Sequence, residues 1–224
     1  QLQDISAHLH LGATAAESTA AFAIGQLQHL VPEPLFKPFS FSGDLKPQSM
    51  EGKPTAYILN GVGGMPGLSY IKLTGRHTPD SGNGMLKLAM TPLNFAPHKL
   101  QPEALSSALA SLEEVTGVVS ASAQIKWSKQ GIRSSGAVVE VKNLSLTHET
   151  GKISDLNVAL NLNNLLPLSS LPQQTIKIRS IDAGIPLENL LVSYQIESTD
   201  LPHIVLEKAQ FSVMDGLVSL TPAV

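Results

Sequence analysis

The segment Leu156–Leu168 reads LNVALNLNNLLPL, and residues 172–196 read PQQTIKIRSIDAGIPLENLLVSYQI. In both segments apolar and polar residues alternate with a period of two, and a turn containing proline or glycine interrupts the pattern. A period of two places successive side chains on opposite faces of a β-sheet. These segments therefore predict long strands that have one apolar face, and they decide the fold class of the chain.

The composition limits what kind of protein this is. The 224 residues have a formal net charge of −3, and only 15% of them are charged. That fraction is below the usual value of about 25%, and charge-driven disorder is therefore disfavoured. The chain has no basic run and only 4% aromatic residues, so it lacks the electrostatic footprint of a nucleic-acid-binding protein.

The chain contains no cysteine, which excludes disulfides and thiolate zinc sites and fits an oxidising compartment. No apolar run approaches the ~20 residues of a membrane helix. The sequence begins at Gln1 within a strand-like pattern. We therefore expect a fragment of a longer protein, with any targeting signal or anchor outside it.

The remaining pattern predicts a mainly β fold, an antiparallel sheet of about ten or more strands. A bulge is expected at Gly25, a strand end at Lys46-Pro47, and a flexible glycine-rich turn at Gly61–Gly67. One short helix is predicted at Pro102–Leu112, from its proline start and helical apolar spacing. The strands predicted before this helix are residues 5–11, 20–30, 39–45, 55–59, 68–73 and 85–90.

The alternation also predicts which side chains share and line the apolar face. Their role would be collective, and no catalytic residue or metal ligand is predicted. The predicted lining residues are Val119, Ala121, Ala123, Ile125, Val139, Val141, Leu156, Val158, Leu160, Leu162, Ile176, Ile178, Val192, Tyr194 and Ile196.

Motifs for other functions are weak. His8 and His10 can share a strand face, but they lack a carboxylate at ligand spacing, so with His29 they are interpreted as surface residues. Ser69-x-x-Lys72 lacks the partner motifs of a β-lactamase-type site. The glycine-rich segment lacks the ending of a phosphate-binding loop. Patterning alone favours a sandwich or barrel with a closed core, because half-buried strands there alternate in the same way.

Residues from about Lys87 to Leu220 carry a more specific pattern. Leu166-Pro167-Leu168 and Gly184-Ile185-Pro186-Leu187 occur in fixed order, the second leading into Val192-x-Tyr194-x-Ile196. With the VTGVVSASA strand at residues 115–123, they resemble the YdbH-like branch of the AsmA-like, bridge-like lipid-transfer proteins, formerly labelled a dicarboxylate-transport domain. Glu188-Asn189-Leu190 stands where the family often has Asp-Gly, and Asp215-Gly216 where it has Gly-Gly.

The resemblance implies a long, strongly curved antiparallel sheet that forms an open, β-taco-like trough with an apolar interior. It implies a segment of a periplasm-spanning protein of a Gram-negative bacterium, anchored in the inner membrane by an N-terminal helix outside this chain. Phospholipid acyl chains would be shielded in the groove during transport between the inner and outer membranes. The implied partners are a small outer-membrane lipoprotein that extends the sheet edge and a small periplasmic protein.

We therefore expect residues 1–224 to form a single β-rich fragment, with weakly matched strands in residues 1–86 and a YdbH-like region in residues 87–224. The expected function is lipid transport without enzymatic activity, cofactor or nucleic acid. The alternative is a structural or adhesive β module of a large envelope protein, with a closed core and no lipid.

Overall fold

The computed structural model of the chain describes residues 2–10, 18–27, 36–50, 53–65, 68–198 and 201–222. This part of the protein is mainly β, as predicted, and contains fifteen strands. The strands are β1 Leu2–His10, β2 Thr19–Leu27, β3 Phe39–Met50, β4 Lys53–Met65, β5 Ser69–Thr78, β6 Asn83–Met90, β7 Leu93–Phe95, β8 Glu113–Ser128, β9 Gly131–His148, β10 Gly151–Leu165, β11 Leu168–Ser170, β12 Gln174–Asp182, β13 Pro186–Ser198, β14 Pro202–Val213 and β15 Gly216–Leu220.

The strands form one antiparallel sheet that follows chain order. Hydrogen-bonded neighbours run β1-β2-β3-β4-β5-β6-β8-β9-β10-β12-β13-β14-β15, while the short β7 and β11 pair with β8 and β10. Among the described strands, β1 and β15 each have one neighbour, so the sheet does not close into a barrel. This confirms the predicted antiparallel sheet.

The chain divides into two compact units. Unit 1 comprises Gln1–Thr91, Leu105–Ser107 and Ser122–Ser135, and unit 2 comprises Pro92–Ala104, Ala108–Ala121 and Gly136–Val224. Strands β8 and β9 contribute residues to both units.

In unit 1 the glycine-rich segment is part of a strand, so the flexible turn predicted at Gly61–Gly67 is wrong. β4 includes Gly61, Gly63 and Gly64, and Pro66 and Gly67 lie outside the described residues. Glycine normally weakens a strand. Here β4 is paired on both sides, with β3 and with β5.

β3 also continues through Pro47, where a strand end was predicted. Its pairing with β2 stops at Leu45, whereas Pro47 pairs with Tyr57 of β4 on the other side. Proline cannot donate a backbone hydrogen bond and is accepted at a strand edge. The register shift between Ile24 and Leu27 agrees with the bulge predicted near Gly25.

The predicted helix at Pro102–Leu112 forms only two 3-10 turns, Pro102–Ala104 and Ser107–Leu109. Two observations explain the difference. The carbonyl of Leu105, which a continuous helix would use internally, accepts a hydrogen bond from the Lys37 N–H at 2.8 Å. Eleven residues are also too few for a helix that is stable on its own.

Few apolar side chains in the described residues are fully buried. Ala56 is buried in unit 1, and the buried apolar residues of unit 2 are Leu93, Phe95, Val115, Ile178, Tyr194 and Ala209. Because every described strand belongs to the same sheet, the described part of the chain contains no second sheet that could cover its apolar face.

Candidate functional site

Strand pairing in unit 2 aligns apolar side chains into rows that cross the sheet. Val141, Val158, Ile176, Val192 and Ala209 are successive partners on β9, β10, β12, β13 and β14. Partners in an antiparallel ladder project to the same face, with Cβ atoms about 5 Å apart. One face of these five strands is therefore apolar along the whole row.

A second row crosses the same strands nearer their other ends. It consists of Leu146, Ile153, Ile181, Leu187 and Val213. A row between the two contains Leu144, Leu156, Ile178 and Leu190.

All of these rows lie on one face. Leu144 and Leu146 are two residues apart on β9, and Ala209 and Val213 are four apart on β14, so the even spacing keeps each pair on the same side. We define the apolar face of unit 2 as Ala137, Val139, Val141, Leu144, Leu146, Ile153, Leu156, Val158, Leu160, Leu162, Ile176, Ile178, Ile181, Leu187, Leu190, Val192, Tyr194, Ile196, Ala209 and Val213.

The apolar face of unit 2 contains no charged residue, and most of it is half-buried. Only Ile178, Tyr194 and Ala209 are fully buried. The other side of the same strands has polar and charged residues, including the ion pair between Lys142 and Glu140 at 2.7 Å. The two faces therefore differ sharply in polarity.

Left-handed backbone positions keep the apolar rows in phase. Asn143, Asp155 and Asn189 have φ values of 51°, 57° and 53°. Asp155 also lies beside Arg179, with Nε and Oδ2 3.9 Å apart. The apolar residues change from odd to even numbers at these positions, as between Ile153 and Leu156, so the face stays apolar on both sides. Asn and Asp tolerate this conformation better than other residues with a side chain.

The structure places eleven of the fifteen predicted lining residues on the apolar face of unit 2. They are Val139, Val141, Leu156, Val158, Leu160, Leu162, Ile176, Ile178, Val192, Tyr194 and Ile196. Val119 and Ala121 belong to the part of β8 in unit 2, where Val119 pairs with Leu93 of β7. Ala123 and Ile125 belong to unit 1, paired with Leu88 and Leu86.

Sequence reasoning missed several members of the face. Leu144, Leu146, Ile153, Ile181 and Leu187 lie on it but are out of phase with the predicted residues on their strands. On β9, β10 and β13 the available signal was an Asn or Asp directly before the change of phase, as in Asn143-Leu144, Asp155-Leu156 and Asn189-Leu190. On β12 there is no Asn or Asp between Ile178 and Ile181. These residue types mark strand positions where a left-handed residue can shift the alternation.

Unit 1 also has an apolar face, in which glycines stand between larger residues. One row of partners is Phe22, Gly43, Gly61, Leu73, Leu88 and Ala123, and the next is Leu45, Leu59, Gly75, Leu86 and Ile125. Phe41 pairs with Gly63, and Trp127 with Gly84. We call these two rows and two pairs the apolar face of unit 1; its apolar side chains are half-buried.

Three of these glycines lie directly beneath an aromatic ring. A Cβ added at Gly43 would be 2.9 Å from the Phe22 ring, and Cβ atoms at Gly63 and Gly84 would overlap the rings of Phe41 and Trp127. Real Cβ atoms essentially never come so close. The rings therefore lie across the neighbouring strand, which explains why β3, β4 and β6 have glycine at these positions.

The buried polar side chains beside the apolar face of unit 2, Gln174 and Ser170, form hydrogen bonds within the protein. Gln174 accepts the Asn161 N–H at 2.6 Å and donates to the Leu171 carbonyl at 2.9 Å. Ser170 accepts the Ile196 N–H at 2.8 Å and donates to the Leu171 carbonyl at 2.9 Å. Burial raises the pKa of the Tyr194 hydroxyl above its usual value of 10, so this hydroxyl is protonated at neutral pH.

The described residues contain no group of three or more His, Asp or Glu side chains that could hold a metal ion. His8 and His10 are exposed on β1, and His29 lies outside the described residues. In the ranges that the structure describes, no helix has the length and apolar character to cross a membrane.

Comparison with known proteins matches the chain to one family. No curated protein and no solved structure matches the chain. A family model described as YdbH-like, intermembrane phospholipid transport protein YdbH, matches residues 4–224. The match extends over residues 4–86 as well as the region that resembled this family in sequence. The chain therefore belongs to the YdbH-like family.

Proposed function

We propose that this chain is a segment of a periplasm-spanning, bridge-like protein that shields phospholipid acyl chains on its apolar sheet face during transport between the inner and outer membranes. The family description implies intermembrane phospholipid transport, and so a protein of the periplasmic envelope. The shielding surface and the bridge role are our proposal.

The observation that carries the proposal is the charge-free, half-buried apolar face of unit 2. Contiguous exposed apolar surface beyond a few hundred Å² is uncommon on monomeric proteins and marks a binding surface. All described strands belong to one sheet. An apolar occupant such as an acyl chain would complete the burial that this sheet lacks.

The energetics favour such an occupant. Exposing acyl chains to water costs about 0.8 kcal/mol per CH₂, so a lipid with about 30 CH₂ groups loses on the order of 20 kcal/mol. An apolar sheet face removes much of this cost while it leaves the charged headgroup in water. A sheet suits transport over distance, because a period of two can keep one face apolar along any number of strands.

The side chains of the face also suit passage rather than tight binding. Most are Leu, Ile, Val and Ala, which offer no hydrogen-bonding groups that would hold a lipid at one position. We propose that the fifteen predicted lining residues contact acyl chains collectively, joined by the out-of-phase residues such as Leu144 and Ile181.

The remaining parts of the proposal come from the family resemblance. They are an inner-membrane anchor outside this chain, an outer-membrane lipoprotein that extends the sheet edge, and a small periplasmic partner. Extension of a sheet edge by a partner strand uses backbone hydrogen bonds and needs no particular side chains.

Native mass spectrometry of the purified chain tests the proposal. The chain should retain diacyl phospholipids from the bacterial envelope, or take them up from phosphatidylethanolamine and phosphatidylglycerol vesicles. A chain that carries no lipid from cells and takes up none from vesicles would exclude lipid shielding and favour a structural or adhesive module.

A further inference from the structure

Tyr194 differs from every other residue on the apolar face of unit 2, because it is the one that has a hydroxyl. Its side chain lies on β13 between Gln174 of β12 and Leu206 of β14. Tyr194 is only 6% exposed. Among the described residues, the one fully buried side-chain oxygen or nitrogen without a hydrogen-bond partner is Asp44 Oδ2. The Tyr194 ring is therefore buried, whereas its hydroxyl oxygen is accessible to an acceptor from outside the protein.

In the described part of the chain the Tyr194 hydroxyl has no hydrogen-bond partner, whereas the neighbouring polar groups do. Both ends of the Gln174 amide are used, by the Asn161 N–H and by the Leu171 and Pro172 carbonyls. The hydroxyl of Ser170 is used by Leu171 and Ile196. The protein thus satisfies the polar atoms around Tyr194 and leaves its hydroxyl for another acceptor.

The proposed ligand offers suitable acceptors. A glycerophospholipid has ester carbonyl and phosphate oxygens between its acyl chains and the rest of its headgroup. Because the hydroxyl is protonated at neutral pH, it can donate to such an oxygen while the acyl chains lie along the apolar residues beside it. Val192 and Ile196, two residues away on the same strand, would be among them.

We propose that the Tyr194 hydroxyl donates a hydrogen bond to an ester or phosphate oxygen of the phospholipid, and so forms a point along the face where a lipid pauses in a defined orientation. This inference rests on the proposed function and names a contact within it. It also assigns Tyr194 a role separate from the collective, non-directional contacts of the aliphatic residues.

The test is Tyr194→Phe, which removes the hydroxyl and keeps the ring. We expect the variant to fold normally and to retain dioleoyl phosphatidylglycerol roughly two- to tenfold less well than the wild-type chain, as loss of one hydrogen bond predicts. Retention is measured by native mass spectrometry after incubation with vesicles. Tyr70→Phe is the matched control, because Tyr70 is exposed on β5, and it should retain lipid like the wild type.

A diether analogue of the same lipid identifies the acceptor. If Tyr194→Phe weakens retention of the ester lipid alone, the hydroxyl bonds an ester carbonyl; if it weakens both lipids equally, the acceptor is a phosphate oxygen. Unchanged retention of both lipids would overturn the inference.

A second measurement leaves Tyr194 intact. The chain has three tyrosines, so in a Tyr57→Phe/Tyr70→Phe variant labelled with ¹³Cζ-tyrosine the single remaining signal belongs to Tyr194. The signal should shift when phosphatidylglycerol is added. If lipid binds without shifting it, the hydroxyl is not a contact and the proposed function still stands. If the wild-type chain binds no lipid at all, the proposed function itself fails.

Discussion

Unit 1 and unit 2 each present an apolar face, but unit 1 places large side chains beside glycines whereas unit 2 places an aliphatic residue on nearly every strand. In unit 1 the rings of Phe41 and Trp127 lie over Gly63 and Gly84. In unit 2 a row such as Val141, Val158 and Ile176 contains no glycine. The side chains of a row together cover the apolar face. In unit 1, one aromatic ring over a glycine covers the area that two medium-sized residues cover in unit 2.

The units also differ in how they keep the alternation in register. The β3–β6 pairing of unit 1 has one register shift, near Gln48. Unit 2 shifts phase where Asn143, Asp155 and Asn189 adopt positive φ. The comparison predicts that unit 1 is sensitive to side chains added at glycines, and unit 2 to substitutions at its left-handed positions.

The largest effect is expected from a charge on the apolar face of unit 2. Leu160→Asp places a carboxylate beside Val139, its partner on β9, and should abolish lipid retention because acyl chains cannot solvate a charge. Leu160 is half-buried, so the chain should remain folded by circular dichroism. Asn161→Asp adds the same charge at the next residue, which is exposed. It should leave retention unchanged, and equal loss in both variants would contradict the assignment of faces.

The second-largest effect is expected from disturbing the packing of an aromatic ring over a glycine in unit 1. Gly63→Ala should destabilise the protein by about 1–3 kcal/mol, because the new methyl group overlaps the Phe41 ring. Gly216→Ala is the control, since the nearest atom to the new Cβ would be the Val213 carbonyl oxygen at 3.6 Å, and it should be near neutral. Urea denaturation measures both.

A double variant separates this packing from a general intolerance of alanine. With the ring removed, Phe41→Ala/Gly63→Ala should cost at least 1 kcal/mol less than the sum of the two single changes. Additive costs would mean that Phe41 does not lie against Gly63.

A somewhat smaller effect is expected at the left-handed positions of unit 2. Asn189→Val should cost about 1–2 kcal/mol, because a β-branched residue is strained at φ 53°. Asn189→Gly should cost much less, since glycine adopts this conformation freely. Equal stability of the two variants in thermal denaturation would contradict a left-handed conformation at residue 189.

The same comparison of the two units shows which features of the fold and of the apolar face the sequence predicts. The period-two pattern was sufficient for the mainly β class, and for the common face of Val141, Val158 and Ile176, because their strands are regular between these positions. It failed at Ile153 and Leu187, because one left-handed residue inverts the alternation and its φ angle depends on the neighbouring strands.

The Gly61–Gly67 prediction failed for a different reason. Glycine and proline favour turns when only local sequence is considered. The strand forms because β4 pairs on both sides and the Phe41 ring, distant in sequence from Gly63, covers its backbone. The helix prediction at Pro102–Leu112 failed for a similar reason, since the Lys37 N–H donates a hydrogen bond to the carbonyl of Leu105. Long-range contacts, which no local pattern contains, decided both segments.

The smallest effect concerns the other face of unit 2. Lys142→Ala removes an exposed ion pair with Glu140 and should change the free energy of unfolding by less than about 0.5 kcal/mol, without altering lipid retention. A marked loss of lipid in this variant would show that the charged face takes part in binding.

The most direct test of the central claim is photo-crosslinking to lipid in living cells. Benzoylphenylalanine is placed at Val158, on the apolar face of unit 2, or at Ala159, its exposed neighbour on the other face, and phospholipids are labelled with ³²P. We predict strong labelling of the protein from position 158 and background labelling from position 159. Equal labelling from both positions, or none from position 158, would contradict lipid shielding by this face.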